Sequence, residues 1–143
     1  MKMITPEQLA ACGTEHGHQT ALFCWAALPE TRAQWPEIAL MFAIPNGGER
    51  NKATAARLKA EGVKPGVSDI LLPVGRGGYF GLFIEMKKPK RGVVSDAQFK
   101  FGEAIREQGY DFSICRDWEA ARTRIINYLA QARTIGFSGT LTR

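Results

Sequence analysis

One stretch, VSDILLPVGRGGYFGLFIEMKKPK at residues 67–90, limits the folds open to this chain more than any other. It holds two apolar runs of strand character, Asp69 to Val74 and Leu82 to Lys87, joined by the turn GRGGYFG. Two such runs around a glycine-rich turn read as an antiparallel hairpin. Side chains alternate across a strand, so Glu85 and Lys87 project from one face with Phe83, while Leu82, Ile84 and Met86 take the other. Antiparallel pairing brings Asp69, at the start of the partner strand, beside Glu85. Two carboxylates and one ammonium thus gather at one edge of a sheet that is otherwise apolar.

The rest of the chain supplies partners for this hairpin. Thr14 suits the N-cap of a first helix, on whose face Leu22, Trp25, Ala26 and Leu28 fall. Ile38 to Ile44 is apolar and stops at Pro45, Asn46, Gly47 and Gly48, a strand followed by turn chemistry. RNKATAARLKAEG is a second helix ending at Gly62. SDAQFKFGEAIREQG opens on the capping box Ser95 to Gln98 and closes at Gly109. YDFSIC is a further strand, and Asp117 caps a last helix running to Leu129 with Trp118, Ala121, Ile125 and Leu129 on its apolar face. The order α-β-α-β-β-α-β-α predicts an α/β fold, a mixed sheet flanked by helices with the hairpin antiparallel at its centre. The tip GRGGYFG reads as flexible, and residues 131–143 read as a loose tail after a core of about 14–130.

Composition sets the outer limits. With 143 residues, 45% hydrophobic and 23% charged, the chain is expected to form one globular domain. No apolar run approaches the roughly 20 residues a membrane span needs, and the N-terminus lacks a signal peptide's pattern, so a cytoplasmic location is expected. Cys12, Cys24 and Cys115 are odd in number and widely spaced, which favours free thiols over a disulfide framework or a zinc site. Lysine and arginine outnumber the acids 19 to 14, a net charge of +5 that tolerates a polyanionic partner without requiring one. His16 and His18 lie two apart and share no helical face, which argues against a histidine metal site. GRGGYFG fails the dinucleotide-binding pattern, because Phe80 takes the place of its last glycine and the stretch joins two strands.

The clustered acids admit two readings. A cross-strand ion pair is the plain one, worth at most about 1 kcal/mol if exposed. Against it stands the apolar context GLFIE, where an acid at the end of a buried strand is costly unless a cation compensates it. Oxygen ligands at this spacing suit a hard ion such as Mg²⁺ or Mn²⁺, and a neighbouring lysine suits the chemistry of cutting a phosphodiester.

Asp69 followed by Glu85-x-Lys87 on the next strand resembles the PD-(D/E)xK nuclease superfamily. More narrowly, IPNGGERNKATAARLKAEGVKPGVSDILLPVGRGGYFGLFIEMKKPKRGVVSDAQ resembles the VRR-NUC domain, the virus-type replication-repair nuclease, in its small stand-alone phage and bacterial form. The similarity covers about residues 14–130 and rests on Gly-x-x-Asp, Glu-x-Lys and a glutamine on the following helix in combination. Ser68 departs from it, standing where the family usually has proline.

The resemblance implies a restriction-endonuclease-like fold and a metal-dependent deoxyribonuclease. It makes Asp69 and Glu85 metal ligands, adds the Met86 carbonyl, and gives Lys87 the catalytic lysine's place. Gln98 matches the family's glutamine, although the capping box explains it equally well. Glu15 and Gln19, four apart on the first helix, match an acid and a glutamine the family carries there, while the helix dipole also accounts for an acid in a first turn. Lys88, Lys90, Arg91 and Arg50 are expected to meet DNA phosphates, with Lys52, Arg57 and Lys59 either adding to that surface or forming a solvated helix face. Stand-alone relatives resemble four-way-junction resolvases, which implies branched DNA as substrate and a homodimer. Phe23, Trp35, Phe42 and Phe137 are candidates for its interface, although burial in the core is the more frequent explanation of such aromatics, and a flap nuclease or a non-catalytic binding module is the alternative function.

Overall fold

The computed structural model describes residues 3–45 and 51–136 of the chain. Six helices and four strands follow one another as α1 (Pro6–Ala10), α2 (Glu15–Ala27), α3 (Pro29–Gln34), β1 (Phe42–Ala43), α4 (Lys52–Ala60), β2 (Ile70–Leu72), β3 (Leu82–Met86), α5 (Asp96–Glu107), β4 (Asp111–Cys115) and α6 (Trp118–Leu129) among the described residues. The strands form one sheet in the order β1-β2-β3-β4. β1 and β2 run antiparallel, as do β2 and β3, whereas β4 lies parallel to β3 after the α5 crossover. The hairpin is therefore central and the sheet mixed.

Alternation along the hairpin divides the two faces. Ile70, Leu72, Leu82, Ile84 and Met86 are fully buried and join Leu22, Trp25 and Ala26 of α2 and Trp118, Ala121 and Ile125 of α6 in one core. Each such side chain contributes roughly 1.5–3 kcal/mol by leaving water. The imidazole Nδ1 of His18 accepts the Trp118 N–H at 3.1 Å and ties α2 to α6. On the opposite face Phe83 packs edge-on against Phe101 of α5, with 5.4 Å between ring centres. α5 lies close over β4, because a Cβ at Gly102 would come within 2.6 Å of the Phe112 ring.

The marked helix ends hold. The Thr14 and Asp117 side chains accept the Gly17 and Ala120 amides, and the capping box from Ser95 to Gln98 is closed in both directions. Gly62 and Gly109 take positive φ, 97° and 91°, as helix-terminating glycines do.

Four expectations are corrected. Ile38 to Ile44 is not a strand throughout: Pro36–Leu40 forms a 3₁₀ turn and only Phe42–Ala43 pairs with β2. Pro36 presets a helical φ, and Ile38 reaches the core as well from a turn as from a strand. α1 and α3 are short helices that the sequence pattern did not reveal. The hairpin strands are shorter than expected, because Pro73 removes the amide that would extend β2. The turn GRGGYFG is not a free tip. Arg76 is 8% exposed and donates to Glu37 at 3.0 Å, Gly77 N–H donates to the Ala132 carbonyl, and the Thr134 hydroxyl donates to the Tyr79 carbonyl. The first residues of the tail are thus tied down as well. Asn46, Gly47, Gly48, Arg50 and Phe137 lie outside the described residues.

Candidate active site

Strand register places the acids. Ile70 faces Ile84, so Asp69 and Glu85, the next residues outward, stand side by side at the end of the hairpin away from its turn. Asp69 is half-buried, and its Oδ2 accepts the Met86 N–H at 2.7 Å, which fixes the carboxylate across the two strands. Glu85 is 1% exposed. Its Oε1 accepts from Gln98 Nε2 at 2.5 Å and from Lys87 Nζ at 3.1 Å. Its Oε2 is buried and has no hydrogen-bond partner among the described residues.

The electrostatics follow from this crowding. Burial, then the neighbouring Asp69 charge, pushes the Glu85 carboxyl up to about 7, against the pull of Lys87. Burial also raises Asp69, while the Met86 N–H and the Lys87 ammonium hold it down. A buried polar atom left unpaired costs about 1–3 kcal/mol, and more when it is charged. The unpaired Glu85 Oε2, beside a second half-buried carboxylate, fits a hard divalent cation taken by oxygen donors. Among the described residues no three His, Cys, Asp or Glu side chains come together as a metal cluster, so the acidic donors here are a pair.

The remaining expected residues fall into three groups. Gln98 reconciles both of its readings: its Oε1 closes the capping box on the Ser95 amide at 2.9 Å while its Nε2 holds Glu85. Glu15 opens α2, half-buried, and its carboxylate has no hydrogen-bond partner among the described residues, although its charge is felt at Glu85 and raises that carboxyl further. Lys88, Lys90 and Arg91 are exposed on the turn that follows β3. That turn is tight, with Arg91 at φ 61° and Gly92 so close that a Cβ there would come within 2.8 Å of the Lys88 carbonyl. Of the proposed interface aromatics, Phe42 is exposed, whereas Phe23 and Trp35 pack against the core.

Three contributors escaped the sequence reading. Arg116 donates to the Gly92 carbonyl at 2.7 Å and clamps the basic turn. Gly66 presses its backbone against Ala97, the residue before Gln98, with φ at 85° and a hypothetical Cβ only 2.6 Å from the Ala97 carbonyl. Gly66 opens the Gly-x-x-Asp motif, so a signal existed, but only the structure reveals the close approach. The Ser68 hydroxyl, just before β2, is wholly buried without a hydrogen-bond partner among the described residues.

A mixed four-stranded sheet with flanking helices and an acid pair at one strand end defines a restriction-endonuclease-like α/β protein. The chain belongs to the VRR-NUC family, whose VRR-NUC domain model matches residues 14–118. A solved structure of a VRR_NUC domain protein shares the fold at a TM-score of 0.69 and 24% identity, covering 98% of this chain and 100% of that one. No curated protein matches the chain. The VRR-NUC domain is a nuclease domain of the PD-(D/E)xK type, acting on DNA in a family typically dependent on divalent metal. Among the described residues no helix is long and apolar enough to cross a membrane.

Proposed function

We propose that this chain is a divalent-metal-dependent DNA endonuclease that acts as a homodimer on four-way junctions. The observation that carries the hydrolytic reading is the unpartnered, buried Oε2 of Glu85 beside Asp69, with the other Glu85 oxygen held by Gln98 and Lys87. Asp69 and Glu85 are the side chains that would hold Mg²⁺ or Mn²⁺, with the Met86 carbonyl as a further backbone donor. An ion there would supply a lowered pKa for water and neutralise charge on the phosphate.

The chain's own residues supply the rest. Gln98 fixes the Glu85 rotamer and leaves Oε2 free. Lys87, once its hold on Glu85 loosens, offers its ammonium to the attacking water or to the developing phosphorane oxygens. Water adds to phosphorus and gives up one proton to solvent, the bond to the leaving oxygen breaks, and that oxygen takes up a proton from solvent. Glu15 adds negative potential that strengthens cation binding at the pair. Lys88, Lys90 and Arg91, with Arg50, hold flanking phosphates without reading bases.

Junction preference and dimerisation belong together. A four-way junction is resolved by nicks on two strands related by a two-fold axis, and a C₂ dimer presents two equivalent sites at a fixed separation. The exposed Phe42 is available to such an interface. Incubation of the purified chain with Mg²⁺ or Mn²⁺ and a mobile four-way junction, a 5′ flap or linear duplex tests the reading, with light scattering on the same sample. Paired symmetric nicks by a dimer are expected. A monomer that cuts flaps and spares junctions points to a flap nuclease, and DNA left intact with every divalent ion removes the enzymatic reading.

A further inference from the structure

α4 stands apart from every other long helix of the described chain. None of its side chains is buried, and only Leu58 is even half-covered. A helix of nine residues is marginal in water, because nucleation is costly and most helical stability in proteins comes from packing. This one is held by its ends. The Asn51 side chain accepts the Thr54 amide at 2.8 Å, Gly62 turns the chain at φ 97°, and Val63 N–H closes back on the Leu58 carbonyl at 2.9 Å. Its alanines supply propensity but give the core nothing.

The described residues that flank this arm, Ile44 before it and Gly66 after it, contact the segments that carry the acid pair. On one side the Ile44 N–H donates to the Asp69 carbonyl at 2.7 Å. On the other, Gly66 is pressed against Ala97 of the helix turn whose Gln98 holds Glu85. The arm carries Lys52, Arg57 and Lys59 and no acid of its own, and the one acid at its end, Glu61, is taken by Arg57 at 2.9 Å. At 100° per residue Lys52, Ala55, Ala56 and Lys59 share one face, turned away from Leu58. The two lysines stand about 10 Å apart along the axis with only methyl groups between them, which leaves a polyanion free to approach the helix backbone.

We propose that α4 is a docking arm for the phosphate backbone of the DNA duplex that flanks the scissile bond, with Lys52 and Lys59 as its contacts. The assignment rests on the nuclease reading above for the nature of the polyanion. Charge complementarity selects this occupant over a second copy of the chain, which is itself net positive.

The double variant Lys52→Ala/Lys59→Ala tests the arm and leaves the Arg57–Glu61 pair alone. Binding to a long duplex is measured in calcium across a salt series, and cleavage of that duplex and of a short single-stranded oligonucleotide is measured in Mn²⁺. The slope of log affinity against log salt is expected to shrink by about two, one for each phosphate contact removed. Cleavage of the short oligonucleotide and turnover at saturating duplex are expected to stay at wild-type level, and Lys52→Arg/Lys59→Arg restores the slope. An unchanged slope overturns the arm. So does a double variant that falls from dimer to monomer in light scattering, since α4 then faces a second copy. Because the slope is read from binding, a wild type that cuts nothing overturns the nuclease reading without deciding the fate of the arm.

Discussion

Glu85 is the residue on which the site turns, because one of its oxygens is bonded twice and the other not at all. Glu85→Gln keeps the shape but removes the charge, and Lys87→Ala removes the neighbouring cation. Each is expected to lower turnover by about 10²-fold or more while leaving the circular dichroism spectrum intact. Near-normal turnover in either variant means that the chemistry lies elsewhere. The raised carboxyl also makes a pH signature. Its folded value of about 7 lies above the ordinary 4.5, so the proton binds more tightly in the folded state. The linked stability is fully present below the ordinary value and is lost as pH rises through about 7. In chelator-treated protein, urea stability is expected to fall between about pH 5 and pH 8, and Glu85→Gln flattens that slope. Asp69, Glu85 and Lys87 were legible as a set because strand alternation and antiparallel pairing together put them on one edge. That Gln98 caps its helix and holds Glu85 at once was not, since both readings use the same side chain and only its two ends separate them.

At the scale of elements, the site depends on one contact between two segments. Gly66 meets Ala97 in the first turn of α5, so the loop that leads to Asp69 and the turn that carries Gln98 move together. Gly66→Ala adds a methyl against backbone at a positive φ. It is expected to cost about 1–3 kcal/mol in chemical denaturation and to depress turnover beyond the loss of folded protein. A variant as stable as wild type means that the loop can shift at no cost. Caps and terminating glycines announced α2, α4, α5 and α6, because they act within a few residues of the chain. β1 could not be read correctly: an apolar run that begins two residues after a proline satisfies a 3₁₀ turn and a strand alike, and only pairing with β2 shows that the strand is a pair of residues. The hairpin turn was misjudged for the same reason. Its glycines permit mobility, but Arg76, Glu37 and Thr134 are far apart in sequence and meet only in the fold.

For the whole molecule, the proposed cation binding would be linked to folding. An ion that binds only the folded acid pair stabilises the protein by mass action, about 2.7 kcal/mol at a hundred times its dissociation constant. A thermal shift on adding Mn²⁺ is therefore expected for wild type and lost in Asp69→Asn, a readout independent of any DNA. No shift in wild type, with DNA cleavage intact, would mean that the ion arrives with its substrate.

Asp69, Glu85, Lys87 and Gln98 all fall in one uninterrupted stretch of chain, within a hairpin and the first turn of the helix after it. On the proposed reading, the metal ligands, the lysine and the glutamine that holds Glu85 would therefore be inherited as a single cassette. Lengthening α4 or appending a partner at either terminus would then alter what the protein grips while leaving that cassette unbroken. Selection can retune the target of such a chain without rebuilding its chemistry.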